Sequence, residues 1–151
     1  MCRLLRNENF LPMLPAAAYP CIFASMESLT AYAALGGEPA IRALVDRFYD
    51  LMELDTQAAG IRSLHPASLD GSRDKLFEYL SFWLGGPQTY IEKNGHPRMR
   101  ARHMPFSIGE AERDQWLHCM RQAFDETLPA GEWRDKFWEA VTGLADHMRN
   151  R

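Results

Sequence analysis

No run of apolar residues in this 151-residue chain approaches the ~20 that a helix needs to cross a bilayer. Cysteine is scarce. Cys2, Cys21 and Cys119 form an odd set with no pair at zinc-site spacing, so neither a disulfide framework nor a structural zinc site is expected. Positive charge is in deficit: 17 Lys and Arg stand against 20 Asp and Glu, a net charge of -3. That balance argues against a general affinity for nucleic acid or anionic membranes. No Glu-x-x-His occurs, which removes the carboxylate-bridged di-iron bundle. No stretch alternates as a strand would, and no internal repeat is present.

What remains is the composition of an ordinary folded domain, 46% hydrophobic and 11% aromatic, long enough for a single core. Residues 1–25 stand apart. Pro12, Pro15 and Pro20 break them into short apolar fragments, and Asn7, Glu8 and Asn9 interrupt the pattern of a signal peptide. They are read as an N-terminal extension, expected to be poorly ordered, ahead of a domain spanning 26–151, with Met26 as an alternative start.

From Met26 onward the signals are helical. Ser28–Leu35 reads as a short helix stopped by Gly36-Gly37. Ile41, Leu44, Val45, Phe48, Leu51 and Met52 recur on one helical face, with Tyr49 beside them. Asp55–Asp70 reads as a connection holding one turn of helix. A second helix over Gly71–Leu84 places Leu76, Leu80, Trp83 and Leu84 inward and ends at Gly85-Gly86-Pro87. Ser107 and Glu110 have capping-box spacing for a helix through Phe124, with Trp116, Met120, Ala123 and Phe124 on its inner face. After a break at Pro129–Gly131, the last helix uses Trp133, Phe137, Val141, Leu144 and Met148. The fold class is all-α.

Between these helices lies the densest chemistry in the chain, Gly95–Gly109. Pro97 can begin a helix and Pro105 cannot continue one, so roughly two turns are expected to hold His103 between imposed ends. A neutral imidazole is a common ligand for iron, copper and zinc. Arg98, Arg100 and Arg102 supply cations beside it, which suits a cofactor carrying carboxylates, such as the two propionates of haem. By itself, a lone histidine near a helix end is more often a hydrogen-bonded structural residue than a ligand.

The combination Phe48-Tyr49, Leu84-Gly85-Gly86-Pro87, Gly95-His96-Pro97-Arg98-x-Arg100-x-Arg102-His103-x-Pro105-Phe106-x-Ile108 and Trp116-Leu117-x-Cys119-Met120 resembles the truncated haemoglobins of group II. The resemblance runs from about Met26 to Met148 and implies a two-over-two helical sandwich. It implies haem b with His103 as the iron ligand, and Phe48, Leu76, Phe77, Leu80, Arg100, Arg102 and Phe106 around the ring. Arg102, next to the ligand, is the preferred partner of a propionate. On the ligand-binding side it implies Tyr49, His65, Ser72, Leu76 and Trp116. A phenol, an imidazole and an indole there would donate hydrogen bonds to a ligand that gathers negative charge.

His65 departs from the phenylalanine or tyrosine common at its position. Three roles stand open for it: donor to the ligand, ligand of the iron itself, or a ring turned to solvent. Dioxygen, carbon monoxide and nitric oxide are the implied ligands. Oxygen binding or transport competes with haem-dependent redox work on nitric oxide or peroxide, which would need a reductase. A cytoplasmic protein, a homodimer by analogy, and no nucleic-acid or membrane partner complete the expectation. The competing class is a haem-free helical interaction module, which would purify colourless. A DNA-binding helix-turn-helix is opposed by the acidic balance and by the prolines around the arginines.

Overall fold

The computed structural model describes residues 29–151, and these are helical, with no strand among them. The expected boundary at Met26 and the helix start at Ser28 lie outside the described residues, as do Cys2 and Cys21. The helices are α1 (Ala31–Ala34), α2 (Gly37–Leu54), α3 (Ala59–Ser63), α4 (Asp70–Trp83), α5 (Thr89–Asn94), α6 (Met99–His103), α7 (Glu110–Thr127) and α8 (Glu132–His147).

Four long helices make the frame. α2 packs on α4, α7 packs on α8, and α2 lies against α7 to join the two layers. This is the two-over-two sandwich. The stripe read from the sequence is the buried face of α2: Ile41, Leu44, Val45, Phe48, Tyr49, Leu51 and Met52. It meets Cys119, Met120, Ala123 and Phe124 of α7, and Phe124 meets Phe137 of α8 with ring centroids 4.8 Å apart. Each large apolar side chain removed from water in this way contributes roughly 1.5–3 kcal/mol. Gly36 turns the chain between α1 and α2 with φ 112°, a left-handed conformation that strains any side chain.

Several boundaries differ from the sequence reading. α1 is a single turn that starts at Ala31 because Thr30 Oγ1 caps it, accepting from the Ala33 N–H at 3.1 Å. The segment 55–70 holds a 3₁₀ turn at Thr56–Ala58 and then α3, so it is more helical than expected. Both pieces are too short to show periodicity. α7 is capped two residues later than Ser107-Glu110 implied. The Glu112 carboxylate accepts from the Gly109 N–H at 2.8 Å, and Glu110 opens the first turn.

α6 is shorter than two turns. Pro97 stays outside it because Arg98 takes φ 43°, with its N–H donated to His96 Nδ1 at 3.2 Å. Trp83 and Trp133, read as inward, are 36% and 40% exposed, while Tyr79 and Phe137 take the interior places.

Candidate functional site

A cavity of about 540 Å³ opens between the layers. Its walls come from α2, α3 and the turn after it, α4, α5, α6, α7 and α8. Tyr49, His65, Ser72, Leu76, Leu80, Arg102, His103, Phe106 and Trp116 all line it. Residues scattered over the sequence from 49 to 116 are therefore gathered around one space.

Tyr49 and Trp116 reach the cavity from the two longest helices, α2 and α7. Phe48, expected at the ring, is fully buried behind them and is absent from the cavity wall. Its ring sits 4.9 Å from that of Tyr49 and 5.1 Å from that of Trp116, so it supports both from the core. Burial pushes the Tyr49 phenol well above its ordinary value, against the opposing pull of Arg73 and the Ser72 hydroxyl. The phenol keeps its proton and remains a donor. Arg73 braces the α2–α4 contact from outside, donating to Asp46 O at 2.7 Å and to Asp50 Oδ1 at 2.6 Å.

His65 is carried by the turn that ends α3. That segment is pinned to α7, where Gln115 Oε1 accepts from the Ile61 N–H at 2.8 Å. A Cβ at Gly60 would meet the same oxygen at 2.7 Å, so a side chain there would push the Gln115 amide out of this position. The Arg62 guanidinium donates to the carbonyls of Pro66 and Ala67, both at 2.9 Å, and fixes the chain after the histidine. His65 lies 5.8 Å from the Tyr49 ring, nearly perpendicular to it. Burial, against the opposing pull of the bond to Ile61 O and with smaller help from Arg62 and His103, holds its pKa below the usual imidazole value, so the ring stays neutral.

His103 ends α6. Its Nδ1 lies 2.6 Å from Met99 O, and a carbonyl can only accept, so Nδ1 carries the hydrogen. In the neutral ring the lone pair is then on Nε2. This is the arrangement by which metal-ligating histidines are oriented. The backbone around His103 is held by Asn150, whose Nδ2 donates to Phe106 O at 2.7 Å and His103 O at 3.2 Å. Asn150 Oδ1 in turn accepts from the Ile108 N–H at 3.1 Å, and the Asn150 N–H is donated to Ile108 O at 2.9 Å.

The arginines divide. Residues two apart on a helix point to opposite sides, and Arg100 faces the C-terminal tail, donating to His147 O at 2.5 Å and Arg149 O at 3.0 Å. It does not line the cavity, contrary to the expectation of a propionate partner. Arg102 does, held by bonds to Pro97 O at 2.7 Å and Asn94 O at 3.0 Å. Phe77 also lies off the wall and carries the Arg42 guanidinium 3.8 Å above its ring.

Sequence reasoning missed Lys75, which joins Arg102 on the wall, and the apolar lining from Tyr79, Tyr90, Met99 and Met148. Lys75 adjoins Leu76 and shows as an ordinary exposed helix residue, so no local signal marks it.

These features fit a haem. The space is largely apolar, one imidazole on its wall has its lone pair on Nε2, and two cations stand on the same wall and could meet carboxylates. The family model of the bacterial-like globins matches residues 30–150, and the chain belongs to that family, in its group II truncated branch. Membership implies a haem cofactor and small gaseous ligands. A group 2 truncated hemoglobin of Bacillus subtilis is 36% identical over 115 residues, 76% of this chain and 85% of that one. Among solved structures, a group II 2-on-2 hemoglobin of Agrobacterium tumefaciens is 49% identical with a TM-score of 0.80, covering 82% of this chain and 96% of that one. A cold-adapted truncated hemoglobin of Pseudoalteromonas haloplanktis is 43% identical with a TM-score of 0.78, covering 81% and 98%.

Proposed function

We propose that this chain binds haem b through His103 Nε2 and takes up dioxygen and related diatomic ligands on the side faced by Tyr49 and Trp116. The observation that carries the reading is the Nδ1–Met99 O bond, which leaves the lone pair of a cavity-lining His103 on Nε2. When bound, haem supplies an iron centre that coordinates the diatomic ligand. The protein supplies the rest. Arg102 and Lys75 offer cations to the propionates at the wall. Leu76 and Leu80 keep water from the space and so strengthen every hydrogen bond formed within it.

Tyr49 keeps its O–H through burial, and Trp116 has an indole N–H and no acceptor. Both therefore donate toward a ligand that gathers negative charge, and each such bond contributes about 1.5–3 kcal/mol. Two donors in a dry space slow the release of dioxygen. Retention of this kind suits oxygen binding. It equally suits oxidation of nitric oxide, provided a reductase returns the iron to the ferrous state.

The test is the absorption spectrum of protein reconstituted with haem, recorded ferric, dithionite-reduced, and reduced under carbon monoxide. A Soret band that shifts with carbon monoxide is expected. A chain that stays colourless after reconstitution returns the haem-free helical module.

A further inference from the structure

Tyr79 and Trp83 form a contact that oxygen binding does not use. They lie four residues apart on α4, and their rings stack with centroids 6.0 Å apart and an interplanar angle of 20°. Tyr79 is buried and lines the cavity of the candidate site. Trp83, the last residue of α4, is 36% exposed on a separate groove of about 260 Å³. One ring contact therefore joins the inner cavity to solvent. Tyr90, also on the cavity wall, meets Tyr79 edge-on at 5.4 Å and widens the inner end.

Indole and phenol rings give up an electron far more readily than phenylalanine, so the contacts have a direction. Beyond Trp83 the next ring is Phe137, at 6.4 Å, and then Phe124, so the series of oxidisable rings ends at the surface. Tyr49 and Trp116 line the cavity too, but both back onto Phe48, and the Arg73 guanidinium 5.8 Å over the Tyr49 ring opposes its loss of an electron.

Tyr79 is a conduit and not a resting place. A tyrosine keeps a missing electron only when its phenol gives up the proton, and burial, with Tyr90 adding to it, raises this phenol above its ordinary value. Trp83 is the reverse case. It touches water and ends a 14-residue helix, whose negative pole favours a positive charge there. Trp133, on the same groove, has Lys136 Nζ 5.8 Å from the centre of its ring, a cation that disfavours a second one.

On the reading that haem fills the cavity, we propose that Trp83 is a surface redox residue: peroxide reduced within the cavity draws electrons from Trp83 through the Tyr79 ring, and dissolved phenols refill Trp83 from outside. The O–O bond of hydrogen peroxide breaks, and with two electrons and two protons from solvent it leaves as two waters. Trp83 supplies the electrons one at a time. Each time, a phenol returns an electron to the indole, releases its O–H proton to water and becomes a phenoxyl radical, so two phenols are consumed per peroxide. The reductant never has to enter the cavity.

The experiment uses the full-length, haem-loaded protein and hydrogen peroxide. With a nitroso spin trap and no phenol, peptide mass spectrometry is expected to place the trapped radical on Trp83. With guaiacol present, that adduct should disappear, because the phenol refills the indole first. Trp83→Phe should lose the adduct at that position and oxidise guaiacol severalfold more slowly, while still binding carbon monoxide at the wild-type rate.

A trapped radical found elsewhere than Trp83, an adduct that guaiacol does not suppress, or unchanged guaiacol oxidation in Trp83→Phe overturns the proposal and leaves the haem reading intact. Absence of any Soret band overturns the haem reading itself, and this proposal with it.

Discussion

The two sides of the cavity are built by different physics. Tyr49 and Trp116 stand on 18-residue helices whose buried faces form the core, so hydrophobic register places them. His103 stands on a five-residue helix with no buried residue, and polar bonds from the last turn of the chain hold it. A site can thus have one wall as stable as the whole fold and another only as stable as a few hydrogen bonds. On the proposed function, the first sets which groups meet the ligand, and the second sets whether the cofactor stays.

The sharpest way to separate the walls is His103→Ala. It should abolish stable haem uptake while the far-ultraviolet circular dichroism of the apoprotein stays helical. A variant that keeps the wild-type ferrous spectrum would remove His103 from the iron. Phe48→Ala attacks the other wall through the core. It should cost about 3–5 kcal/mol in denaturant unfolding and should also loosen Tyr49 and Trp116, which lean on that ring.

Trp116→Phe keeps the packing and deletes the indole donor. Dioxygen release in stopped-flow should then quicken by about an order of magnitude, the equivalent of a bond worth about 1.5 kcal/mol or more. An unchanged rate would leave Tyr49 as the one donor that matters.

Asn150→Ala should lower global stability by only about 1–3 kcal/mol, and its larger effect should be on haem loss, followed by transfer to an acceptor apoprotein. If haem loss is unaffected, the α6 wall does not need its clasp.

The smallest expected effect concerns the α7–α8 layer. Hydrogen bonding by Arg113, with lesser help from Arg149, holds the Asp146 carboxyl below its ordinary value. A carboxyl depressed in the folded state stabilises above its unfolded pKa, and that contribution is lost as pH falls through the folded value. Arg113→Gln should therefore flatten the loss of stability between about pH 5 and pH 2. The change should be small, because the pair faces solvent.

The same contrast governs what is legible in the sequence. The stripe from Ile41 to Met52 and the stop at Gly85-Gly86-Pro87 read directly, because long helices repeat their packing every turn and glycine and proline punctuate locally. His103, Tyr49 and Trp116 read only through the family resemblance, since one histidine or one tryptophan carries no pattern. Neither the division between Arg100 and Arg102 nor the clasp at Asn150 is legible. Both depend on which segment a short helix happens to face, and that segment lies more than 40 residues away along the chain. α3 was hidden for a related reason. Five residues are too few for periodicity, and what holds them is Gln115 on a distant helix.

The clasp also puts the parts of the molecule in a temporal order. The carbonyls that Asn150 holds belong to residues made 44 and 47 positions before it. At the ~5–20 residues per second of protein synthesis, that gap is roughly 2–10 s. During that interval Tyr49, His65 and Trp116 have been synthesised, yet the bonds from Asn150 to the backbone at His103 and Phe106 do not exist. The hold on the α6 backbone is therefore made only after the residues it fastens have waited for Asn150 to follow them.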